Sequence, residues 1–190
     1  WQGLPDRADQ IVPVLLDIFT EANVKGTFFV LGDLARNSPG VIRQIADQGH
    51  EIASHGYSHR PVYQLAPDTF RAELQKTKNL IQDITGQQIW GFRAPYFSIN
   101  QKNLWALDVI AEEGYVYDSS VFPLKTILYG YPGAPRHPYQ PNPGSNLIEY
   151  PISTIRYAEM TIPIAGGFYN RMLPYPFLKR ALKQVNRQGY

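Results

Sequence analysis

Apolar positions along this chain follow two alternating rhythms. Ile11, Leu15, Ile18 and Phe19 fall at i, i+4, i+7 and i+8, which predicts a helix over residues 7–22, with Pro13 delaying or kinking its start. Gly26-Thr27-Phe28-Phe29-Val30-Leu31 is a short continuous apolar run and reads as a buried strand. Ser38 as cap and Pro39 at the first helical position open the next helix, and Gly49 stops it. Glu51-Ile52-Ala53 is a second strand. Phe70, Leu74, Thr77, Ile81 and Ile84 mark a longer helix from Pro67 to Gly86, followed by the strand Ile89-Trp90-Gly91-Phe92. Asn100 starts a helix through Leu104, Leu107 and Ala111 that Gly114 closes, and Tyr115-Val116-Tyr117 is a strand ending at Asp118. Residues 123–146 are dense in Pro, Gly and Tyr without a period, which predicts a long ordered surface loop. Residues 147–152 read as a further strand and 175–186 as the last helix. Strands alternating with helices predict an α/β fold with a parallel sheet.

Composition narrows the function classes. The 190 residues fit one domain or a large piece of one, and 44% hydrophobic residues against 18% charged fill a core rather than a disordered chain. A net charge of +2 without any basic block argues against a nucleic-acid surface. The longest apolar runs are too short for a membrane span. The absence of cysteine excludes thiolate ligands and disulfides. No secretory leader is visible, but the chain opens on Trp1, so localisation stays open between cytoplasm and cell envelope. Thirteen Tyr, nine Phe and three Trp suit a carbohydrate-facing surface and a core equally.

The densest chemistry lies in Ser54-His55-Gly56-Tyr57-Ser58-His59. In one helical turn an i, i+4 pair shares a face with Cβ atoms about 5–6 Å apart. At that spacing both imidazoles can bind one divalent cation, and imidazole suits zinc, copper, iron and nickel. Capping or packing is the other reading of such a pair. His55, Arg93 and Asp118 each follow a predicted strand, and in parallel barrels that rim carries the chemistry. Taken singly, Arg93 reads equally as a surface ion-pair residue, Asp118 before Ser119-Ser120 as a turn cap, and Asp33 as a loop or cap residue. His50 is expected to end a helix or pack under the sheet, and His137 lies in the Pro-rich loop.

These segments, together with Thr27-Phe28-Phe29-Val30, Gly49-His50-Glu51-Ile52, Arg93-Ala94-Pro95-Tyr96 and Tyr117-Asp118-Ser119-Ser120, resemble the NodB-type polysaccharide deacetylases of carbohydrate esterase family 4. Leu104-Trp105-Ala106-Leu107, Tyr131-Pro132-Gly133-Ala134-Pro135 and Gly166-Gly167-Phe168-Tyr169 resemble a bacterial subgroup associated with exosortase and exopolysaccharide clusters. Several motifs in order, from about Ala22 to Tyr190, make this specific.

The resemblance implies a distorted barrel of about seven parallel strands that removes N-acetyl groups from an N-acetylhexosamine polymer. It implies that His55 and His59 bind a metal, usually zinc, and that the Tyr96 N–H helps hold the oxyanion. Arg93 orients a base aspartate, Asp118 supports a general-acid histidine, and Pro95, Tyr96 and Phe97 face substrate. Tyr169 and Arg171 either touch sugar or pack. In that chemistry the cation lowers the pKa of water from 15.7 toward ~7 and polarises the acetyl carbonyl. A base takes the water proton, and the acid protonates the leaving sugar amine.

Two of the family's five motifs have no counterpart in this sequence. One is the acidic segment on the opening strand, which supplies base and third ligand. The other is the Leu-His-Pro-like segment on the closing strand, which supplies the acid. The expectation is therefore a (β/α)7 NodB-type barrel lacking its first and last strands, with both segments lying outside residues 1–190. By itself such a chain is expected to bind metal weakly and to be nearly inactive. Two further readings compete: a hydrolase of cyclic imides or amides on the same fold, and a sugar-binding pseudoenzyme.

Overall fold

The computed structural model describes residues 7–124, 126, 130–157 and 160–188. Five parallel strands, β1 (Thr27–Val30), β2 (Glu51–Ser54), β3 (Gly91–Phe92), β4 (Tyr117–Asp118) and β5 (Ile148–Glu149), lie side by side in chain order. Their register aligns Val30 with Ser54, Ser54 with Phe92, Phe92 with Asp118 and Asp118 with Glu149. The ladder continues one step further, with the amides of His55, Arg93, Ser119 and Tyr150 donating to Val30, Ser54, Phe92 and Asp118 carbonyls. Side chains far apart in sequence therefore form one row at the carboxyl ends of the strands. Among the described residues the sheet stays open, with β1 and β5 at its edges.

Helices α1 (Ala8–Glu21), α2 (Gly32–Asn37), α3 (Pro39–Asp47), α4 (Pro67–Thr85) and α5 (Trp105–Glu112) flank the sheet. Phe70 on α4 meets Phe92 of β3 and Trp105 of α5 edge to face, and Tyr115 closes on Phe92. These rings fix the distance between helix layer and sheet, and with it the height of the rim. The C-terminal part adds an antiparallel hairpin, β6 (Thr154–Tyr157) with β7 (Met160–Pro163), then α6 (Gly167–Met172) and α7 (Tyr175–Arg187). Ile155, Ile164 and Ala181 make a small second core there. No helix of the described residues is long and apolar enough to cross a membrane.

Several details differ from the sequence reading. Helix α1 exists and runs through Pro13, but it buries Leu16 with Val12 packed beside it, while Ile11 and Ile18 face outward. A helix with apolar residues on more than one side leaves the choice of face to its neighbour, here α3. Ser38 does not cap α3; its hydroxyl donates to Asp9 on α1. Asn100 forms an Asx turn, its Oδ1 accepting the Lys102 N–H, and α5 begins only at Trp105. The predicted strand over 147–152 shrinks to Ile148–Glu149, followed closely by Pro151, which has no N–H to give. Helices α2 and α6 and the hairpin were not expected. Each is short enough for its periodicity to be lost. Of the predicted loop, residues 125 and 127–129 lie outside the described residues, and its described part pairs once with the sheet, at Tyr139 and Glu149.

Candidate active site

The loop between the two histidines is not the helical turn that their spacing suggests. Gly56 and His59 both adopt positive φ, 75° and 57°, so the chain turns sharply twice after β2. Its carbonyls are held by the first turn of α2, where the Gly32 and Asp33 amides donate to Gly56 and Tyr57. Its amides are held by α4, where Glu73 Oε2 accepts the Tyr57 and Ser58 N–H groups and Oε1 accepts the Ser58 hydroxyl at 2.5 Å. Lys76 sits over the Tyr57 ring at 3.6 Å. Gly32 has no side chain because a Cβ there would lie 2.3 Å from that ring. The loop is thus clamped from two helices. The imidazoles of His55 and His59 converge, with centroids 5.3 Å apart.

His55 is oriented further by a 2.7 Å hydrogen bond from its Nδ1 to the Arg93 carbonyl. A carbonyl only accepts, so Nδ1 carries the hydrogen and Nε2 keeps its lone pair. Burial, with the nearby charges of His59 and Arg93, lowers the His55 pKa to about 4 against the hydrogen bond's opposing pull, so the ring is neutral near pH 7. Burial lowers that of His59 as well. Neutral rings with a fixed tautomer are what a divalent ion of the zinc type asks of imidazole. The donor set fits such an ion as far as it goes. Among the described residues no third His, Cys, Asp or Glu completes the group.

Arg93 opens the next rim segment. Its guanidinium stacks 4.0 Å from the Phe29 ring and forks onto Ser119, with Nε donating to the carbonyl at 2.9 Å and Nη2 to Oγ at 2.7 Å. The chain then turns through Pro95, Tyr96 and Phe97, with Tyr96 at φ 58° and Phe97 at φ 49°. The Tyr96 N–H is not spent on a backbone hydrogen bond among the described residues. The Tyr96 ring is about half exposed and lies 4.7 Å from that of His59. Pro95 is buried, its ring lying toward Gly56, and so ties the two loops together. Phe97 is half-buried beside Phe122, on which Tyr169 stacks, while Arg171 is exposed on α6.

Asp118 does not open onto the rim. It is fully buried at the end of β4, where its carboxylate accepts the hydroxyl and amide of Ser120 rather than an imidazole. His50 is also buried. Its Nδ1 accepts the Gly26 N–H, and its ring packs between Phe19 and Phe28, the packing role expected of it. Asp33 pairs with Arg36 on α2 at 3.1 Å, far from metal chemistry in kind. His137 lines a cavity of about 250 Å³ that also reaches Arg93 and Arg136. A more open cleft of about 470 Å³ lies along the inner face of the sheet, lined by Thr27, Phe29, Glu51, Arg93, Tyr117 and Tyr150, which is room for a sugar ring.

Four residues that matter here were not singled out from sequence. Glu73 clamps the histidine loop, Ser119 and Ser120 hold Arg93 and Ala94, and Glu149 sits beside Asp118. Only for the serines was there a signal, since they directly follow Asp118. Glu73 and Glu149 reach the site through the fold, with nothing in their local sequence to mark them.

A family model described as polysaccharide deacetylase matches residues 4–116, and a domain of unknown function (DUF3473) matches residues 119–190. The peptidoglycan-N-acetylglucosamine deacetylase of Bacillus cereus is 34% identical over 100 residues, covering 52% of this chain and 36% of that protein. A crystal structure from Mycobacterium smegmatis, assigned as a polysaccharide deacetylase, is 38% identical with TM-score 0.63, over 75% of this chain and 45% of that one. A pseudoenzyme of carbohydrate esterase family 4 from Bacillus anthracis is 25% identical with TM-score 0.53, over 58% of this chain and 40% of that one. The chain spans about a third of the length of the curated relatives it matches. With more than half of its residues matched by the family model, the chain belongs to the polysaccharide deacetylase family, the NodB-type domain of carbohydrate esterase family 4.

Proposed function

We propose that residues 1–190 form most of the catalytic domain of a zinc-dependent N-deacetylase. Its substrate is an N-acetylhexosamine polymer, namely an exopolysaccharide, a chitin-like chain or peptidoglycan, and it falls with the exosortase-associated subgroup that its C-terminal segments resemble. The observation that carries the reading is the pair of neutral imidazoles converging beside a strained turn that offers the Tyr96 amide. The packed His50 is also neutral with a fixed tautomer; what sets His55 and His59 apart is that their two rings converge at the strand ends.

In this reading His55 and His59 hold the cation, which when bound acidifies water and polarises the acetyl carbonyl. The Tyr96 N–H takes the developing oxyanion, a contribution of roughly 10²–10³ in rate for one such donor. Arg93, fixed by Ser119, sets the charge beside the base, and Asp118, buried below the rim, holds the Ser120 turn. Tyr96 and Phe97 present apolar faces to the sugar, with Tyr169 behind them. The base, the acid and a third ligand are not among the described residues, so the reaction needs them from elsewhere.

A second reading is a sugar-binding pseudoenzyme, against which His55 and His59 stand, since sugar binding alone does not need them. One experiment decides between the two. The product of the full coding sequence is incubated with zinc and N-acetylglucosamine oligomers, a cyclic imide being the control substrate, and acetate is measured alongside His55→Ala. Acetate release that the substitution abolishes supports the deacetylase. Oligomer binding without acetate release, unchanged by the substitution, supports the pseudoenzyme and sinks the first reading.

A further inference from the structure

Two carboxyl groups with no solvent exposure face each other across β4 and β5. Asp118 and Glu149 are register partners, and each side chain is fully buried. Asp118 is used wholly as an acceptor: Oδ1 takes the Ser120 hydroxyl at 2.5 Å and Oδ2 the Ser120 amide at 3.3 Å. Glu149 Oε1 accepts the Val121 amide at 2.9 Å, but Oε2 has no donor among the described residues. As a carboxylate oxygen it would be a buried orphan beside a second negative charge, which two adjacent carboxylates do not tolerate.

We propose that Glu149 is a positioning residue: it keeps its proton, donates a hydrogen bond through it to Asp118, and through that single-proton pair fixes the Ser119–Ser120 turn from which Arg93 and the Ala94–Tyr96 turn hang. Two relays make the connection. The Ala94 N–H donates to Ser120 Oγ at 2.7 Å, and the Ser120 hydroxyl donates on to Asp118. Arg93 Nη2 donates to Ser119 Oγ, whose hydroxyl donates to the Tyr150 carbonyl at 2.8 Å, on the residue after Glu149. The first relay runs one way and leaves both Asp118 oxygens accepting, so Asp118 is the ionised member and the proton stays on Glu149. The pair then carries one negative charge, balanced by the guanidinium of Arg93.

Burial raises both carboxyls, and the Asp118 charge raises Glu149 further, well above the ordinary 4.5. The charged or titratable groups facing the pair are Arg93 from the end of β3 and the phenol of Tyr139, whose own pKa burial pushes up. The purpose of the turn rests on the deacetylase reading. The shared proton does not.

The test compares wild type with Glu149→Gln, whose amide supplies the same donor and acceptor without a titrating proton. A group raised in the folded state stabilises most fully below its unfolded pKa and loses that contribution as pH rises. Urea unfolding between pH 5 and 8 should therefore show the wild-type unfolding constant rising, relative to the variant's, by about tenfold per pH unit until the folded pKa is reached. Hydrogen exchange supplies the positioning readout. Protection of the Ala94 amide should fall at least about tenfold in Ser120→Ala and Glu149→Ala, as expected when a local hydrogen bond is lost, and should persist in Glu149→Gln. A pH-independent ratio, or full Ala94 protection in Glu149→Ala, overturns the proposal. Should the glutamine variant not fold, the infrared band of a protonated carboxylic acid in wild type at pH 7 decides: present, it supports; absent, it overturns. Neither readout uses deacetylase activity, so this proposal and the proposed function fail separately.

Discussion

Removing the His55 imidazole should flatten the acid side of the stability curve. The unfolded chain protonates this histidine near 6.5, while the folded site lowers its pKa to about 4. A depressed histidine binds fewer protons folded than unfolded, so stability is full above pH 6.5 and falls as pH drops toward 4. The shift from 6.5 to about 4 corresponds to about 3 kcal/mol at 1.36 kcal/mol per unit. The assay is urea unfolding of wild type and His55→Ala between pH 4 and 8, with chelator present so that metal binding does not contribute. At pH 7 the variant should start about 1 kcal/mol lower, the ordinary value of the lost bond to the Arg93 carbonyl. Between pH 7 and 4 the wild type should lose about 3 kcal/mol more than the variant. Burial also lowers His50 and His59, but both remain in either protein and largely cancel in the difference. Parallel curves would mean that the folded protein protonates His55 as freely as water does. The neutral, tautomer-locked ligand on which the metal reading stands would then be gone.

Three other expectations can be checked directly. Free zinc at 100 times its dissociation constant should stabilise the protein by about 2.7 kcal/mol, seen as a higher urea midpoint, and His59→Ala should abolish the increment. Gly91→Ala should cost about 1–3 kcal/mol in calorimetry, since the new methyl would sit 2.0 Å from Tyr117 Cζ and force that ring, with its hydrogen bond to Glu51, off the strand. Arg93→Lys keeps the charge but cannot reproduce the fork onto Ser119 or the stack on Phe29. In the full-length protein it should cut acetate release by roughly tenfold or more, with a change in stability of only about 1 kcal/mol. An unchanged rate would remove Arg93 from the site.

The α/β class, the succession of strands along the chain and the rim position of His55 and Arg93 were legible in the sequence. A strand of period two and a helix of period 3.6 are local signals, and so is a polar residue that follows an apolar run. The elements that were missed are the ones in which that periodicity is too brief, α2, α6 and the β6–β7 hairpin. The buried face of α1 was misread because Ile11 and Ile18 satisfy the helical spacing as well as Val12 and Leu16 do. Only the packing partner breaks such a tie.

The histidine pair shows the division most clearly. Its four-residue spacing pointed to convergence through a helical turn, and the rings do converge, but by another route. Positive φ at Gly56 and His59, the α2 amides and the Glu73 carboxylate bend a non-helical loop into the same outcome. By itself the amino-acid sequence determined which residue types stand at the strand ends, because a side chain's chemistry and its place in a periodic run are local. The tertiary structure alone decided which rings are neutral, which nitrogen of His55 carries the hydrogen and which buried acid lies against Asp118. Burial and hydrogen bonding depend on neighbours that the packing of α4 and the sheet register bring from residues as distant as Glu73 and Glu149.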